Sequence, residues 1–312
     1  MDKHWNTYCT MSIVHFMAFP QCIGGEGPIV ETVSKIAEDP FFTGIEIGWI
    51  KDPQVRAATR RVLEVSHIKA GYGAQLALLL QKLDINSLDE TERRRGVDQL
   101  KQCVDEAVEL GAQRVAFLSG KDPGETQRPA ALEALIKSVK EVCAYARERG
   151  IAMTCEVFDR AIDKKCLIGP SEYAAEFARV VRQDFPEFGL MYDLSHRPLL
   201  FEQAETALTA LKDVLVHIHV GNAVVDANTP GYGDLHPRFG WPGGANDVPE
   251  LVDFVRGLFK IGYLAPDATR GLAGGEARPW IGFEVKPQAP GETSELIIAG
   301  AKRVWQEAWS RV

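Results

Sequence analysis

The sequence of 312 residues has no apolar run that approaches the ~20 residues a helix needs to cross a bilayer. Its first residues, MDKHWNTYCTMS, also lack the basic segment followed by an apolar segment that marks a secretory signal. These two absences predict a cytoplasmic protein that does not associate with a membrane.

An excess of positive charge is absent as well. Lysine and arginine together number 35 against 43 aspartates and glutamates, which gives a formal net charge of −8. Because nucleic-acid binding favours basic patches, this balance argues against a generic nucleic-acid partner. The apolar share of 46% and the charged share of 25% are typical of a globular protein with an ordinary core.

The six cysteines form no C-x-x-C pair and are scattered along the chain. A chain of this length buries a core without disulfides or structural metals. We therefore expect free, mostly buried thiols in a reducing compartment, and neither a structural zinc site nor a cysteine nucleophile.

A regular alternation of two patterns dominates what the sequence does contain. Short β-branched or aromatic runs alternate with longer stretches of helical periodicity, in eight strand–helix units without an intervening linker. This is typical of an α/β protein with one (β/α)₈ TIM barrel, which we expect to form a single domain over residues 1–312. A doubly wound open sheet is the alternative, but it would need no eighth unit, and no G-x-G-x-x-G follows a strand.

Several element boundaries can be predicted. The first strand is expected within Ser12–Phe19, which places His15 on it, and the third within Ile68–Leu79. Ser87 followed by Glu90 is a capping box that predicts the start of a long helix.

One connection is unusually long. Residues 223–247 separate the seventh strand from its helix, and long loops inside compact domains are usually functional. In a barrel this loop emerges on the catalytic face. It carries Asp234 and His236, which could protonate a leaving group or could only order the loop.

Polar residues near the carboxyl ends of the last four predicted strands are the most informative feature. Parallel barrel strands are expected to be apolar on both faces, yet these strands carry Glu156, Asp193, His219 and Glu284. Neighbouring strands are ~4.8 Å apart, so four inward side chains could converge on one point. A lone carboxylate is commonly a helix cap and a lone histidine a core residue, but the set of four points to a shared role.

A divalent metal ion resolves the repulsion that three buried carboxylates would otherwise suffer. Oxygen ligands with one imidazole favour Mn²⁺, with Mg²⁺, Co²⁺, Fe²⁺ or Zn²⁺ as alternatives. His217 and His219 share a face of their strand because the strand repeats every two residues. We expect His219, nearer the mouth, to be the ligand, and His217 to be a supporting or core residue.

These four positions, together with the segments YDLSH and ERRRGVDQLKQCVDEAVELGAQRV, resemble the xylose isomerase-like barrels, the sugar isomerase and epimerase superfamily. The resemblance implies that Glu156, Asp193, His219 and Glu284 bind one Mn²⁺ or related ion. It also implies that Glu156 and Glu284 are the catalytic acid/base pair, which acts on the proton α to the carbonyl of a keto sugar. The histidine of YDLSH, His196, would touch the substrate.

The sequence departs from the usual epimerases in two segments that bear on the substrate. Where those enzymes carry an arginine soon after the histidine, this chain has Val225 and Asp226, and Arg238 could take over that role. Lys164 lies after strand five, where epimerases place a further substrate-binding glutamate. The long loop and the opening HWNTYCTMSIVHFMAFP look more like the α subunit of bacterial C-glycoside deglycosidases.

That narrower resemblance implies a different outcome of the same first step. Those enzymes work together with a small β subunit. They act on 3-oxo-C-glycosides, abstract the C2 proton and expel the aglycone. The expected partners are therefore a keto sugar or a 3-oxo-glycoside, and either further copies of this chain or a small second subunit.

Weaker candidates and rival functions complete the expectations. His15 could reach the substrate or be a core histidine, and Trp49 could be a stacking wall or core; Tyr72 and Gln75 are similar cases. A phosphodiesterase like endonuclease IV would need three metals, more than the 7 histidines present and a basic groove. A non-catalytic sugar-binding barrel would bind no metal and need no paired glutamates.

Overall fold

Eight parallel strands form the centre of the protein, whose computed structural model describes residues 3–266, 268 and 278–312. The strands are β1 (Thr10–Ile13), β2 (Gly44–Ile47), β3 (Lys69–Gly73), β4 (Arg114–Leu118), β5 (Ala152–Glu156), β6 (Gly189–Asp193), β7 (Leu215–Gly221) and β8 (Trp280–Glu284). Their hydrogen-bonded order is β1-β8-β7-β6-β5-β4-β3-β2, and every pair is parallel. A parallel bridge between Val14 and Glu46 joins the two ends, so the predicted barrel is confirmed as a nearly closed ring.

Helices follow the strands around the ring. They are α1 (His15–Ala18), α2 (Ile29–Ala37), α3 (Pro53–Ser66), α4 (Gln75–Leu80), α5 (Glu90–Leu110), α6 (Arg128–Arg147), α7 (Ser171–Arg182), α8 (His196–Leu199), α9 (Ala204–Leu211), α10 (Val248–Lys260) and α11 (Ser294–Ser310). Within the described part of the chain, none of them is both long and apolar enough to span a membrane.

The core lies between the strands and the helices. Outward side chains of the strands, such as Ile45 and Ile218, are fully buried in one continuous apolar cluster. The helices contribute one buried stripe each, as Leu100 and Val104 do on α5. All six cysteines are free and buried, as predicted.

The predicted ends of the first and third strands were wrong. The first strand ends at Ile13 and α1 begins at His15, so His15 is not on a strand. The third strand ends at Gly73, and the following apolar residues form α4. Short apolar runs do not distinguish a strand from a buried helix, which explains both errors.

The long helix α5 also begins differently from the prediction. Its N-cap is Asp89, whose side chain accepts hydrogen bonds from the backbone N–H groups of Thr91 and Glu92. Ser87 lies before this cap, and its hydroxyl accepts from the N–H of Asp89 instead. The two residues are two positions apart and both favour caps, so local sequence alone did not separate them.

Candidate active site

Four polar side chains from the last four strands meet at the carboxyl end of the barrel. Glu156, Asp193 and Glu284 are the last residues of β5, β6 and β8, and His219 lies near the end of β7. One ligand atom from each lies within 4.8 Å of the others. We call these four residues the quartet; three are buried and the Glu284 side chain is 12% exposed.

Each member of the quartet presents one unused atom. Glu156 Oε1, Asp193 Oδ2, His219 Nδ1 and Glu284 Oε2 are all buried, and none has a hydrogen-bond partner among the described residues. His219 Nδ1 is 2.7 Å from Glu284 Oε2 but lacks the alignment of a hydrogen bond. Buried polar atoms without partners are costly, and a cation placed between these four would satisfy them. Three carboxylate oxygens and one imidazole nitrogen could bind a divalent metal ion.

In Glu156 and Asp193, the second carboxylate oxygen accepts a hydrogen bond. Glu156 Oε2 accepts from Gln75 Nε2 at 2.7 Å, and Asp193 Oδ1 accepts from the Ser195 N–H at 2.7 Å. These contacts orient each carboxylate so that its other oxygen faces the quartet. Burial raises the pKa of Asp193, because it disfavours the ionised carboxylate. A nearby cation would favour the ionised form and lower this pKa.

Glu46 contacts His219, the histidine of the quartet, through the ring nitrogen Nε2. Its carboxylate accepts from Ser12 Oγ at 2.7 Å, from His217 Nε2 at 3.1 Å and from His219 Nε2 at 2.7 Å. Burial alone would raise the pKa of Glu46, but His217 and His219 outweigh it and hold that pKa well below its usual value. Three side-chain donors therefore converge on the Glu46 carboxylate inside the barrel.

A second polar group lies beside the quartet and is centred on Asp234. Asp234 Oδ1 is 2.9 Å from His236 Nε2 and 3.2 Å from His196 Nε2. Asp234 Oδ2 accepts a hydrogen bond from Lys164 Nζ at 2.9 Å. Burial would raise the pKa of Asp234, but these three neighbours hold it well below the usual value. Burial would likewise lower the pKa of His236, yet the charges of Asp234 and Glu284 raise it to about 9.

The two groups are in contact. His236 Nε2 is 3.4 Å from Glu284 Oε1, and His236 Nδ1 is 3.8 Å from Asp193 Oδ2. His196 Nδ1 donates to the Val157 carbonyl at 2.8 Å. Asp193, His196 and His236 also form a second set of possible metal ligands within 4.8 Å.

The long loop is held in the position that delivers Asp234 and His236 to the site. At its ends, the Asn246 N–H donates to Asn222 Oδ1 at 2.8 Å, and Asn246 Nδ2 donates to the carbonyls of Gly221 and Leu194. His236 has a φ of 51°, which is uncommon for a residue other than glycine. Such a conformation persists where the surrounding contacts hold it.

The quartet opens into a cavity of about 240 Å³ with two different walls. One wall carries the quartet residues Glu156, His219 and Glu284 together with Lys164, Asp234 and His236. The rest of the lining is largely apolar and comes mainly from α1, α4 and the residues next to them. Its apolar residues are Val14, Phe16, Met17, Ile23, Leu76, Leu79, Phe158 and Leu235.

Comparison with known families agrees with this architecture. A family model described as the xylose isomerase-like TIM barrel matches residues 35–266, which is more than half of the chain. The chain belongs to this family. No curated protein sequence matches it.

Solved structures of the same fold cover nearly the whole chain. A D-tagatose 3-epimerase-like protein is 15% identical, with a TM-score of 0.71 over 97% of this chain and 98% of that chain. The 3-keto-D-glucoside 4-epimerase from E. coli is 14% identical, with a TM-score of 0.63 over 96% of this chain and 99% of that chain. The IOLI protein with a bound zinc atom is 16% identical, with a TM-score of 0.70 over 97% and 98%. At these identities the likeness shows the fold alone.

Within this barrel, the predicted substrate contacts fall into two groups. The structure brings His196, His236 and Lys164 to the quartet, where all three surround Asp234. It does not bring Arg238 there, because that guanidinium contacts Glu292 Oε1 at 3.2 Å on the outer side of the loop.

His15 and Trp49 also lie away from the cavity as the structure describes it. His15 is buried, with Nε2 2.7 Å from Thr32 Oγ1, and burial lowers its pKa to about 4. Trp49 Nε1 donates to the Ile23 carbonyl at 3.3 Å. His15 has the contacts of a core residue, and Trp49 is partly buried against the core.

The weaker candidates near strand three separate in the same way. Gln75 contacts Glu156 and lines the cavity, whereas the Tyr72 hydroxyl donates to Glu106 Oε2 at 2.5 Å outside it. Sequence reasoning missed Glu46. The signal was present, because the alternation of GIEI puts Glu46 on the inner face of a strand that is otherwise apolar.

Proposed function

We propose that the protein is a divalent-metal-dependent acid/base enzyme that removes a proton α to the carbonyl of a keto sugar. The observation that carries this proposal is the quartet, in which four buried atoms without hydrogen-bond partners face one point at the mouth of a barrel. The solved structures of this fold include sugar epimerases and a protein with bound zinc, which supports the same chemistry.

Mn²⁺ is the ion we propose for the quartet, because three carboxylates with one imidazole suit it, and Mg²⁺, Co²⁺, Fe²⁺ or Zn²⁺ fit the same ligands. When bound, a divalent ion polarises the substrate carbonyl and stabilises the negative charge that develops on its oxygen. The oriented carboxylates of Glu156 and Asp193 are already held for this purpose by Gln75 and Ser195.

Glu156 and Glu284 are the proposed proton carriers. Two strands separate β5 from β8, so the two carboxylates approach the cavity from different sides. One removes the proton from the carbon next to the carbonyl, and the other delivers a proton at a different position. Lys164, His196 and His236 are the proposed contacts for substrate oxygens, since all three line or adjoin the polar wall.

A second candidate function uses the same first step but ends in elimination. Eight of the residues that line the cavity are apolar, and an aglycone would bury apolar surface against them, which a free ketose would not. After C2 deprotonation of a 3-oxo-glycoside, the bond from C1 to the aglycone breaks. The aglycone leaves with the electron pair of the broken bond and takes up a proton, for which His236 is the proposed donor.

Proton-exchange NMR in D₂O with Mn²⁺, using ketohexoses and 3-oxo-glycosides, tests both candidates. Exchange or epimerisation without loss of a substituent supports the first function, and release of the aglycone supports the second. Glu156→Gln should abolish exchange, whereas Glu106→Gln, a change at a carboxylate outside the cavity, should not. Absence of exchange and of aglycone release with every substrate would contradict the proposal.

A further inference from the structure

Glu46 lies behind His219, on the side of the imidazole ring that faces away from the quartet. We infer that Glu46 is a positioning residue that keeps His219 with its Nε2 protonated and its Nδ1 free for a metal ion. This inference rests on the proposed metal site and adds a residue from β2 to a set otherwise drawn from β5 to β8.

The hydrogen bonds around Glu46 fix which nitrogen carries the proton. Ser12 Oγ also donates to Glu46 Oε1, and a carboxylate surrounded by donors in this way accepts from the imidazole nitrogens that face it. His219 Nε2 is 2.7 Å from Glu46 Oε2, and His217 Nε2 is 3.1 Å from Glu46 Oε1. A neutral imidazole that donates from Nε2 has a lone pair on Nδ1. That atom of His219 is the one left without a partner among the described residues, 2.7 Å from Glu284 Oε2.

Gly282 leaves the space that this carboxylate occupies. Gly282 pairs with His219 in the register between β7 and β8. A Cβ atom at Gly282 would lie 2.3 Å from Glu46 Oε1, 2.9 Å from Ser12 Oγ and 3.0 Å from His219 Cδ2. A glycine at this position therefore allows Glu46 to reach across the barrel from β2 to β7.

A metal ion held by Glu46, His217 and His219 is the competing explanation, since their ligand atoms also lie within 4.8 Å of one another. The pattern of satisfied atoms argues against it. Both oxygens of Glu46 and both Nε2 atoms already form hydrogen bonds within this group. The nitrogen of His219 that has no partner among the described residues, Nδ1, lies instead on the quartet side of the ring.

Glu46→Gln tests the inference with Mn²⁺ as the probe. The amide keeps the shape of the carboxylate but loses its charge, and its NH₂ group faces a donor. Outer-shell partners of metal-bound histidines are typically worth 10–100-fold in affinity, so calorimetry should show Mn²⁺ binding about 10–100-fold more weakly. Gly282→Ala should also weaken Mn²⁺ binding, because the added Cβ would displace the Glu46 carboxylate. Glu106→Gln is the matched control and should bind Mn²⁺ as the wild type does.

A second readout does not depend on affinity or activity. In the Zn²⁺-loaded protein labelled with ¹⁵N-histidine, NMR should show His219 with a protonated Nε2 and a metal-bound Nδ1. Glu46→Gln should lose the protection of the Nε2 proton from exchange with solvent. A wild-type signal that shows Nε2 bound to the metal would overturn the inference.

The remaining outcomes separate this inference from the proposed function. If the wild type binds no divalent ion, the proposed metal site itself is wrong. If the wild type binds Mn²⁺ and Glu46→Gln binds it equally tightly, only the positioning role is wrong. Two ions in the wild type and one in Glu46→Gln would make Glu46 a ligand and would also overturn the inference.

Discussion

Asp234 Oδ1 lies 2.9 Å from His236 Nε2, at the point where the long loop enters the cavity. The same carboxylate accepts from Lys164, a residue of the loop that follows β5. The Asp234 N–H in turn donates to Asp163 Oδ2 at 3.0 Å. Asp234 therefore joins two loops of the barrel and aligns a histidine against the quartet.

Replacing Asp234 by asparagine should reduce proton exchange about 100-fold or more, because a positioned acid/base group contributes about 10²–10⁴-fold and this change misplaces one. The loop should also become more susceptible to limited proteolysis, since Lys164 loses an ion pair. Asp226→Asn is the control in the same loop, because Asp226 contacts only nearby residues, Asn228 and Thr229, among those described. Equal exchange rates in the two variants would contradict this account.

Arg238 and Lys164 should differ in their effect on substrate binding. Lys164 lines the cavity, whereas Arg238 contacts Glu292 and stacks on Trp241, 5.6 Å from the ring centre. Lys164→Met should therefore raise KM for a keto sugar or a 3-oxo-glycoside, and Arg238→Ala should leave KM unchanged. Steady-state kinetics on both variants decides the matter. A raised KM in Arg238→Ala would mean that this side chain turns into the cavity when substrate binds.

Mn²⁺ should stabilise the fold through the quartet. A ligand that binds only the folded state at about 100 times its Kd adds about 2.7 kcal/mol to the free energy of unfolding. Chemical denaturation with Mn²⁺ and with EDTA should show this difference for the wild type and for Glu106→Gln. Asp193→Asn should show much less, because it removes one ligand oxygen. Identical curves for the wild type under both conditions would rule out tight binding.

The barrel itself was predictable from the sequence because its signal is repeated. Eight alternations of strand and helix give the same answer many times, so an error at one boundary does not change the fold. The ends of β5, β6 and β8 were equally clear, because Glu156, Asp193 and Glu284 interrupt runs that should be apolar. The structure brings these three together with His219, as the shared barrel end implied.

Residues whose position depends on loop conformation were not predictable in the same way. Arg238 and His236 are two positions apart, yet only His236 lines the cavity. His236 has a left-handed φ of 51°, a backbone conformation that no local sequence pattern signals. The role of Glu46 was not predicted for a different reason. Its partners are residues of β1 and β7, which are distant in sequence and become neighbours only when the barrel closes.

His15 provides a prediction about stability at low pH. Burial lowers its pKa to about 4 in the folded protein, against an ordinary value of 6.5. Between these two values the unfolded chain binds a proton that the folded chain does not. The free energy of unfolding therefore falls as the pH falls from 6.5 to 4, and the difference between the two pKa values corresponds to about 3 kcal/mol.

His15→Gln should remove this part of the pH dependence, because glutamine keeps a donor for Thr32 Oγ1 but does not titrate. Urea denaturation at a series of pH values should show the wild type losing about 3 kcal/mol more than the variant between pH 7 and pH 4. Between pH 7 and pH 8 the difference between the two proteins should change by only a few tenths of a kcal/mol at most, since His15 is mostly neutral in both states there. Parallel profiles over the whole range would show that His15 has the same pKa in the folded protein as in the unfolded chain, and would contradict this account.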